Sequence, residues 1–284
     1  MGTLARALPL PLSVMLLSAC GMSAVSNSSY GPQSSIQSGG GGGGSGSGGG
    51  GGSGQPPAGA AVSPAGIWDI TDKVNNQPIS EVAMIATGQY YSAATTDQFN
   101  CADLSAGTYA VDGNSFTGSG VMQLMNSCNA PNGQNYLPYT LVNGYLLNSG
   151  LNLIFDAGGT LVPTLGATLD PLYNEPSSLT KLAGNWDDAG NTMTLNPDGT
   201  FFEQQASGCV VNGAFSIIDA THNLYGVSLE ITNCTSSSAG IAFTGLGYLN
   251  DSNPNAWHLL AELSGPNPAA SGAAMLVSVD LAKP

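Results

Sequence analysis

The sequence predicts an all-β protein: two tandem antiparallel β-units of about eight strands each, small up-and-down barrels or sandwiches, behind a disordered Gly/Ser-rich tether. Three observations carry that expectation. Apolar and polar residues alternate along short segments, most clearly from Tyr225 to Cys234, where Val227, Leu229 and Ile231 share one face and Ser228, Glu230 and Thr232 the other. No segment keeps a helical period for more than a turn or so. A set of landmarks also occurs twice in the same order, which is the signature of an internal repeat.

The chain divides into 1–19, 20–64, 65–170 and 171–284. Residues 1–19 read as a signal peptide, with one cation, Arg6, and an apolar segment running through Leu8, Leu10, Leu12, Val14, Met15, Leu16 and Leu17. That segment is shorter than the ~20 apolar residues a spanning helix needs. Leu17-Ser18-Ala19-Cys20 resembles the bacterial lipobox at every position, which implies that Cys20 becomes the acylated first residue of the mature chain. Several acyl chains on one residue hold a protein stably at a membrane where a single chain does not. Gly21 stands where an Asp signals inner-membrane retention in proteobacterial lipoproteins. The resemblance therefore implies a lipid anchor in the outer membrane, on its periplasmic or its surface side.

Residues 20–64 are nearly all small or polar, with an almost pure Gly/Ser core from Gly39 to Gly54. Such a segment buries nothing and forfeits much backbone entropy on ordering, so it reads as a flexible leash of roughly 35–40 Å r.m.s. reach. A phosphate-binding loop is not expected, because no Gly-Lys-Ser/Thr follows the glycines.

Charge excludes a class of partners. Arg6 is the only arginine, and three lysines (Lys73, Lys181, Lys283) face 18 acidic residues, so the net charge of −14 becomes −15 once the signal is removed. Nucleic acid is set aside, since phosphate binding needs clustered cations.

Five cysteines become an even four once Cys20 is assigned to the lipid: Cys101, Cys128, Cys209 and Cys234. In an exported chain they read as disulfides. Cys209 opens one expected strand and Cys234 closes its neighbour; Cys101 and Cys128 bracket the corresponding hairpin around Asp112-Gly113-Asn114. The expected pairs are Cys101–Cys128 and Cys209–Cys234.

The repeat landmarks are Gly66-Ile67-Trp68-Asp69 with Gly184-Asn185-Trp186-Asp187, the two cysteine pairs, and Gly144-Tyr145-Leu146 with Gly247-Tyr248-Leu249. The offset between copies shrinks along the chain, so the first copy is expected to carry a larger early loop near Val74 to Glu81. In the second copy, Thr192 to Leu195 and Thr200 to Gln204 flank Asn196-Pro197-Asp198-Gly199, a turn in which Pro presets φ and Gly accepts φ > 0. Trp257, Leu259, Ala261 and Leu263 alternate with His258, Leu260 and Glu262, and Met275, Val277, Val279 and Leu281 end the chain in the same way.

Gly184-Asn185-Trp186 followed by an apolar hairpin resembles the first strand of calycin barrels, the lipocalins and avidins, and Leu182 through Leu195 resembles the opening hairpin of avidin-type barrels. The resemblance implies that Trp68 and Trp186 are structural plugs at the closed end of each barrel. No Arg is available to cap them as in lipocalins. As a whole the layout resembles proteobacterial lipoproteins with small lipocalin-like repeats, and no ligand-contact residue is carried over from those families.

Chemistry is sparse. His222 is expected in an exposed turn and His258 on a solvated outward register. With the cysteines paired, no zinc set can be assembled, and no metal site or cofactor is expected. No Gly-x-Ser-x-Gly or His-Glu-x-x-His occurs in the folded part. Asp69, Asp72, Asp187 and Asp188 are read chiefly as turn and strand-end residues, with a calcium loop at Asp251 to Asn255 and a glycosidase-like acid pair as the sharper alternatives. The expectation is a non-enzymatic binding or structural module of the cell envelope. Its partners would be a small apolar ligand if the barrels are hollow, or an envelope protein on outer surfaces if Phe202, Phe215, Met193 and Leu229 fill them. Competing readings are an envelope glycan hydrolase using paired Asp/Glu and a protease-inhibitor-like barrel.

Overall fold

The computed structural model describes residues 63–283 apart from the short segments 75–76, 97–102, 114, 125–135, 148–149, 158–159, 189, 235–238 and 268–273. Cys20, Cys101 and Cys128 lie outside the described residues, and with them the lipid site and the Cys101–Cys128 pair.

The chain forms two closed eight-stranded antiparallel barrels in simple up-and-down order. The first comprises β1 (Gly66–Val74), β2 (Gln77–Ala86), β3 (Gln89–Thr96), β4 (Asp103–Asp112), β5 (Ser115–Leu124), β6 (Tyr136–Leu147), β7 (Gly150–Ala157) and β8 (Thr160–Leu169). It closes where Trp68 and Ile70 of β1 pair with Leu169 and Ala167 of β8. After a 3-10 turn at Pro171–Asn174 and the one-turn helix α1 (Leu179–Leu182), the second barrel begins. Its strands are β9 (Gly184–Asp188), β10 (Asn191–Leu195), β11 (Thr200–Gln204), β12 (Val210–Ile217), β13 (Tyr225–Thr232), β14 (Ala242–Asn250), β15 (His258–Pro266) and β16 (Ala274–Ala282), closing at Ala282 and Asp187.

Strand register shows that the barrels are copies of one unit. Trp68 pairs with Ala83, and Ile85 on the same strand with Tyr90; in the second barrel Trp186 pairs with Met193, and Leu195 with Phe201. Tyr90 and Phe201 each face a glycine, Gly107 and Gly213. Further round, Gly144 lies opposite Phe116 and Gly247 opposite Tyr225, so the Gly-Tyr-Leu landmarks occupy one structural position. Both tryptophans donate their indole N–H to the carbonyl four residues back, Trp68 to Pro64 at 3.0 Å and Trp186 to Leu182 at 2.8 Å.

Two expectations need correction. The residues from Val74 to Glu81 are not an enlarged loop: the first copy lengthens its opening hairpin instead. Strands β1 and β2 run nine and ten residues where β9 and β10 run five each, with Thr71, Asp72, Lys73 and Val74 paired to Ser80, Ile79, Pro78 and Gln77. Ile70, Thr71, Val74, Ile79 and Val82 supply β-branched residues for that ladder, the residue type that suits a pleated surface. Phe202 does not fill the second barrel; it is 48% exposed, and Phe201 points inward. Met193, Phe215 and Leu229 are interior, as expected, within one cluster that includes Trp186, Tyr225, Phe243 and Leu249.

The barrels pack side by side through outer faces. Ile67, Met84, Ala86, Tyr91, Leu104 and Ala106 of the first barrel meet Leu246, Tyr248 and Leu276 of the second, with Leu172, Tyr173 and Leu224 sealing one edge. The Tyr91 hydroxyl donates to the Thr244 carbonyl at 3.1 Å, and the Leu276 N–H donates to Gln123 Oε1 at 3.2 Å. Strand β14, buried on both faces, accordingly loses its alternation and reads Leu246-Gly247-Tyr248-Leu249 without a break.

Candidate functional site

The two ends of the second barrel differ. One end is plugged. Helix α1 lies beneath Trp186, and Lys283, just past β16, places its Nζ 5.0 Å from the Trp186 ring and 4.8 Å from the Trp257 ring. The same ammonium donates to the carbonyls of Lys181 and Ala183 at 3.4 Å. The cap that no arginine could supply is a lysine. Lys181 forms an ion pair with Asp251, so the Asp251 to Asn255 loop is engaged by a cation and by internal turns; Ser252 donates to Asn250 Oδ1 at 2.7 Å.

The opposite end carries the Cys209–Cys234 disulfide, with Cα atoms 4.5 Å apart, and a pair of enclosed acids. Asp187 and Asp188 alternate as strand residues must. Asp187 faces out and accepts the Gly190 N–H at 2.8 Å, whereas Asp188 faces in and is 5% exposed. The reading of Asp188 as a strand-end solubility residue is therefore overturned. Its partner is Glu203 on β11, wholly enclosed at 0% exposure, which sequence reasoning did not single out. The two carboxyls are paired with each other, and the Gln205 side chain also hydrogen-bonds Glu203.

Burial is the chief cause of the pair's acid–base behaviour. It pushes the Glu203 carboxyl up to about 7, and the adjacent Asp188 charge pushes in the same direction. Asp188 is raised too, by burial first and then by the charges of Asp187 and Asp280, while a hydrogen bond from Glu203 holds it back. Two carboxyls so placed cannot both ionise cheaply, so near neutrality Glu203 keeps a proton that Asp188 shares. In the first barrel, register puts Ile70 and Ser92 at these two positions, and Ser92 is satisfied by the Tyr90 hydroxyl at 2.8 Å. The acid pair belongs to the second barrel alone, so it is no part of the shared framework.

A third acid, Glu262, lies on the outer register of β15 yet is 6% exposed, because the first barrel covers it. Ser278 donates to its Oε1 at 2.8 Å, and burial raises it to about 8, helped by Asp280. Neither histidine is simply solvated. His258 sits with Nδ1 2.8 Å from Asp280 Oδ1, and His222 stacks on Tyr173 with ring centroids 4.2 Å apart. Among the described residues, no three His, Cys, Asp or Glu side chains are grouped to hold a metal ion. Compared with known proteins, the chain matches no family model, no curated protein and no solved structure.

Proposed function

We propose that the chain is an outer-membrane lipoprotein, anchored through Cys20 and carried on its glycine leash, whose paired barrels act as a non-enzymatic binding module of the cell envelope. The observation that carries this reading is the interior of the second barrel. Trp186, Tyr225, Phe243 and Leu249 are each at most 1% exposed around the barrel axis. A barrel filled in that way is a rigid body without a substrate chamber, and binding falls to its rim and outer faces. The test begins with labelled palmitate fed to expressing cells: label enters the wild type and not Cys20→Ser. An unlabelled wild type refutes the anchor.

One observation favours a second reading, an envelope glycan hydrolase, because Asp188 and Glu203 are two carboxyls of differing proton affinity. A glycosidase needs its carboxyls on either side of a sugar ring, roughly 5–9.5 Å apart across an open cleft. Glu203 is fully enclosed and shares a space with Asp188, so the binding reading is preferred. Glycan turnover by the wild type that disappears in Glu203→Gln would reverse that preference.

A further inference from the structure

The connection between the barrels is tied down on both sides of a short span. Asp170 donates its N–H to the Ile67 carbonyl of the first barrel at 2.8 Å, and the Tyr173 carbonyl accepts from the Asn223 N–H of the second at 3.1 Å. The Ser177 hydroxyl donates to the Asp219 carbonyl and the Ser178 N–H to the Tyr225 hydroxyl, so the chain from Tyr173 onward moves with the second barrel. The bonds left to turn between the two bodies are those around Pro171 and Leu172. We propose that this joint is worked by a proton: the barrels stay closed on each other while Glu262 is protonated, and swing apart about Pro171 and Leu172 when it ionises.

Glu262 sits within the covered face. On β15 it lies between Leu260 and Ser264 on the same register, and across the ladders it faces Leu246 on β14 and Ser278 on β16. Tyr91 reaches over from β3 to within 3.3 Å of Ser264 Oγ, while Met84 and Val82 of β2 and Leu104 and Ala106 of β4 share one apolar cluster with Leu246 and Leu260. The charges around this seam do not favour a carboxylate. Asp280 on β16 opposes its ionisation, and Asp170 and Asp69 add negative charge beside Tyr248 of β14. Gln123 of β5 is uncharged, His258 is paired with Asp280, and Lys181 and Lys283 are held at the plugged end. The Ser278 hydroxyl, at 2.8 Å, is one donor against that desolvation, whereas parting of the barrels would wet the carboxylate outright. The closed state keeps the Glu262 proton to about pH 8 and a wetted Glu262 only to about 4.5. The opening constant therefore rises on the order of fiftyfold between pH 6 and pH 8 and levels off above about pH 9.

Leu276 reports on the joint separately from the barrels. Among the described residues β16 meets β9 only at Ala282 and Asp187, and the Leu276 N–H crosses instead to Gln123 Oε1 of the first barrel at 3.2 Å. Amide exchange of the full mature protein, followed by NMR from pH 6 to pH 9 and expressed as protection relative to the intrinsic rate, tests the proposal. Leu276 protection should fall on the order of fiftyfold between pH 6 and pH 8, while the ladder amides of β13 stay more protected at every pH. Glu262→Gln and Glu262→Met should each give a Leu276 protection that does not change with pH, and either variant carries the comparison if the other does not fold. Wild-type protection that is constant across the range overturns the proposal, as does an equal fall in the variants. One shared protection factor for Leu276 and β13 also overturns it, because the barrels would then unfold without first parting. Each of these failures leaves the palmitate result, and so the envelope reading, untouched.

Discussion

Glu262 makes stability depend on pH in a direction opposite to that of an ordinary surface carboxylate. In the unfolded chain it ionises near 4.5; beneath the first barrel it keeps its proton to about 8. Between those values the folded protein holds one more proton than the unfolded one, so stability falls as pH rises through the window and is flat outside it. One proton is worth about 1.4 kcal/mol per pH unit, giving a loss on the order of 3 kcal/mol by pH 7 and 5 kcal/mol above pH 8. Glu262→Gln removes the titration while leaving an oxygen to accept from Ser278. The new amide must find its own acceptors, which costs about 1–3 kcal/mol if it does not. The slope with pH is therefore a cleaner readout than any single value.

Urea denaturation of wild type and variant at pH 5.5, 7 and 8.5 measures it (on the order of three points across the window suffices). The variant should gain on the wild type steadily over that range, by several kcal/mol in total. Contributions from Asp188, Glu203 and the surface acids cancel in the difference. The loss should also be localised: amide exchange should quicken first along β14 and β15, where Tyr248, Leu260 and Ser264 share the covered face with Glu262. A difference between the two proteins that does not change with pH would refute the reasoning, because it would mean that Glu262 is already ionised or hydrated at pH 5.5.

Three further outcomes follow from the packing. Replacing Cys209 and Cys234 by Ala opens a 25-residue closure and should cost the second barrel about 3 kcal/mol on the chain-entropy estimate, read as a lower urea midpoint that matches the reduced wild type. Gly213→Ala would put a Cβ 2.2 Å from both the Phe201 ring and the Ser228 carbonyl oxygen; the ring can move and the backbone cannot, so a loss of about 1–3 kcal/mol is expected in thermal unfolding. Lys283→Met should lower the melting temperature through loss of two carbonyl contacts and two ring contacts, about 1–2 kcal/mol, and Lys283→Arg should restore most of it.

Repetition and alternation made the architecture legible. Trp186, the Asn196 to Gly199 turn and the run from Tyr225 to Thr232 each state a strand or its end locally, and Gly199 does adopt φ +90°. What stayed hidden has two causes. At Phe201-Phe202 two adjacent aromatics leave the phase of β11 undecided, and period-two patterning has no tolerance: choosing Phe202 as the inward residue sends Glu203 to solvent. The acid pair disappears with that one-residue slip. At β15 the phase is plain, and Glu262 and His258 do face outward, but outward means solvent only for an isolated barrel. The cue was the unbroken apolar stretch of β14, which marks a strand covered on both sides. The lysine cap had no local signal, because Lys283 and Trp186 meet only when the sheet closes.

The same register shows how the outer walls of the two barrels differ. The first barrel presents Ile67, Met84, Tyr91, Leu104 and Ala106 to its neighbour. Counting from the paired tryptophans, the matching outer positions of the second barrel are Asn185, Thr194, Phe202, Val210 and Asn212, and of these Asn185, Thr194, Phe202 and Asn212 are exposed. Three of those four are polar. A head-to-tail contact between unlike faces propagates, into a ring or an open filament, wherever one unit carries both faces. Here Asn185, Thr194 and Asn212 remove that face, leaving Phe202 as its one exposed aromatic remnant. The second barrel's outer wall at these positions thus meets water and its rim carries the acid pair, while the matching face of the first barrel covers β14 to β16.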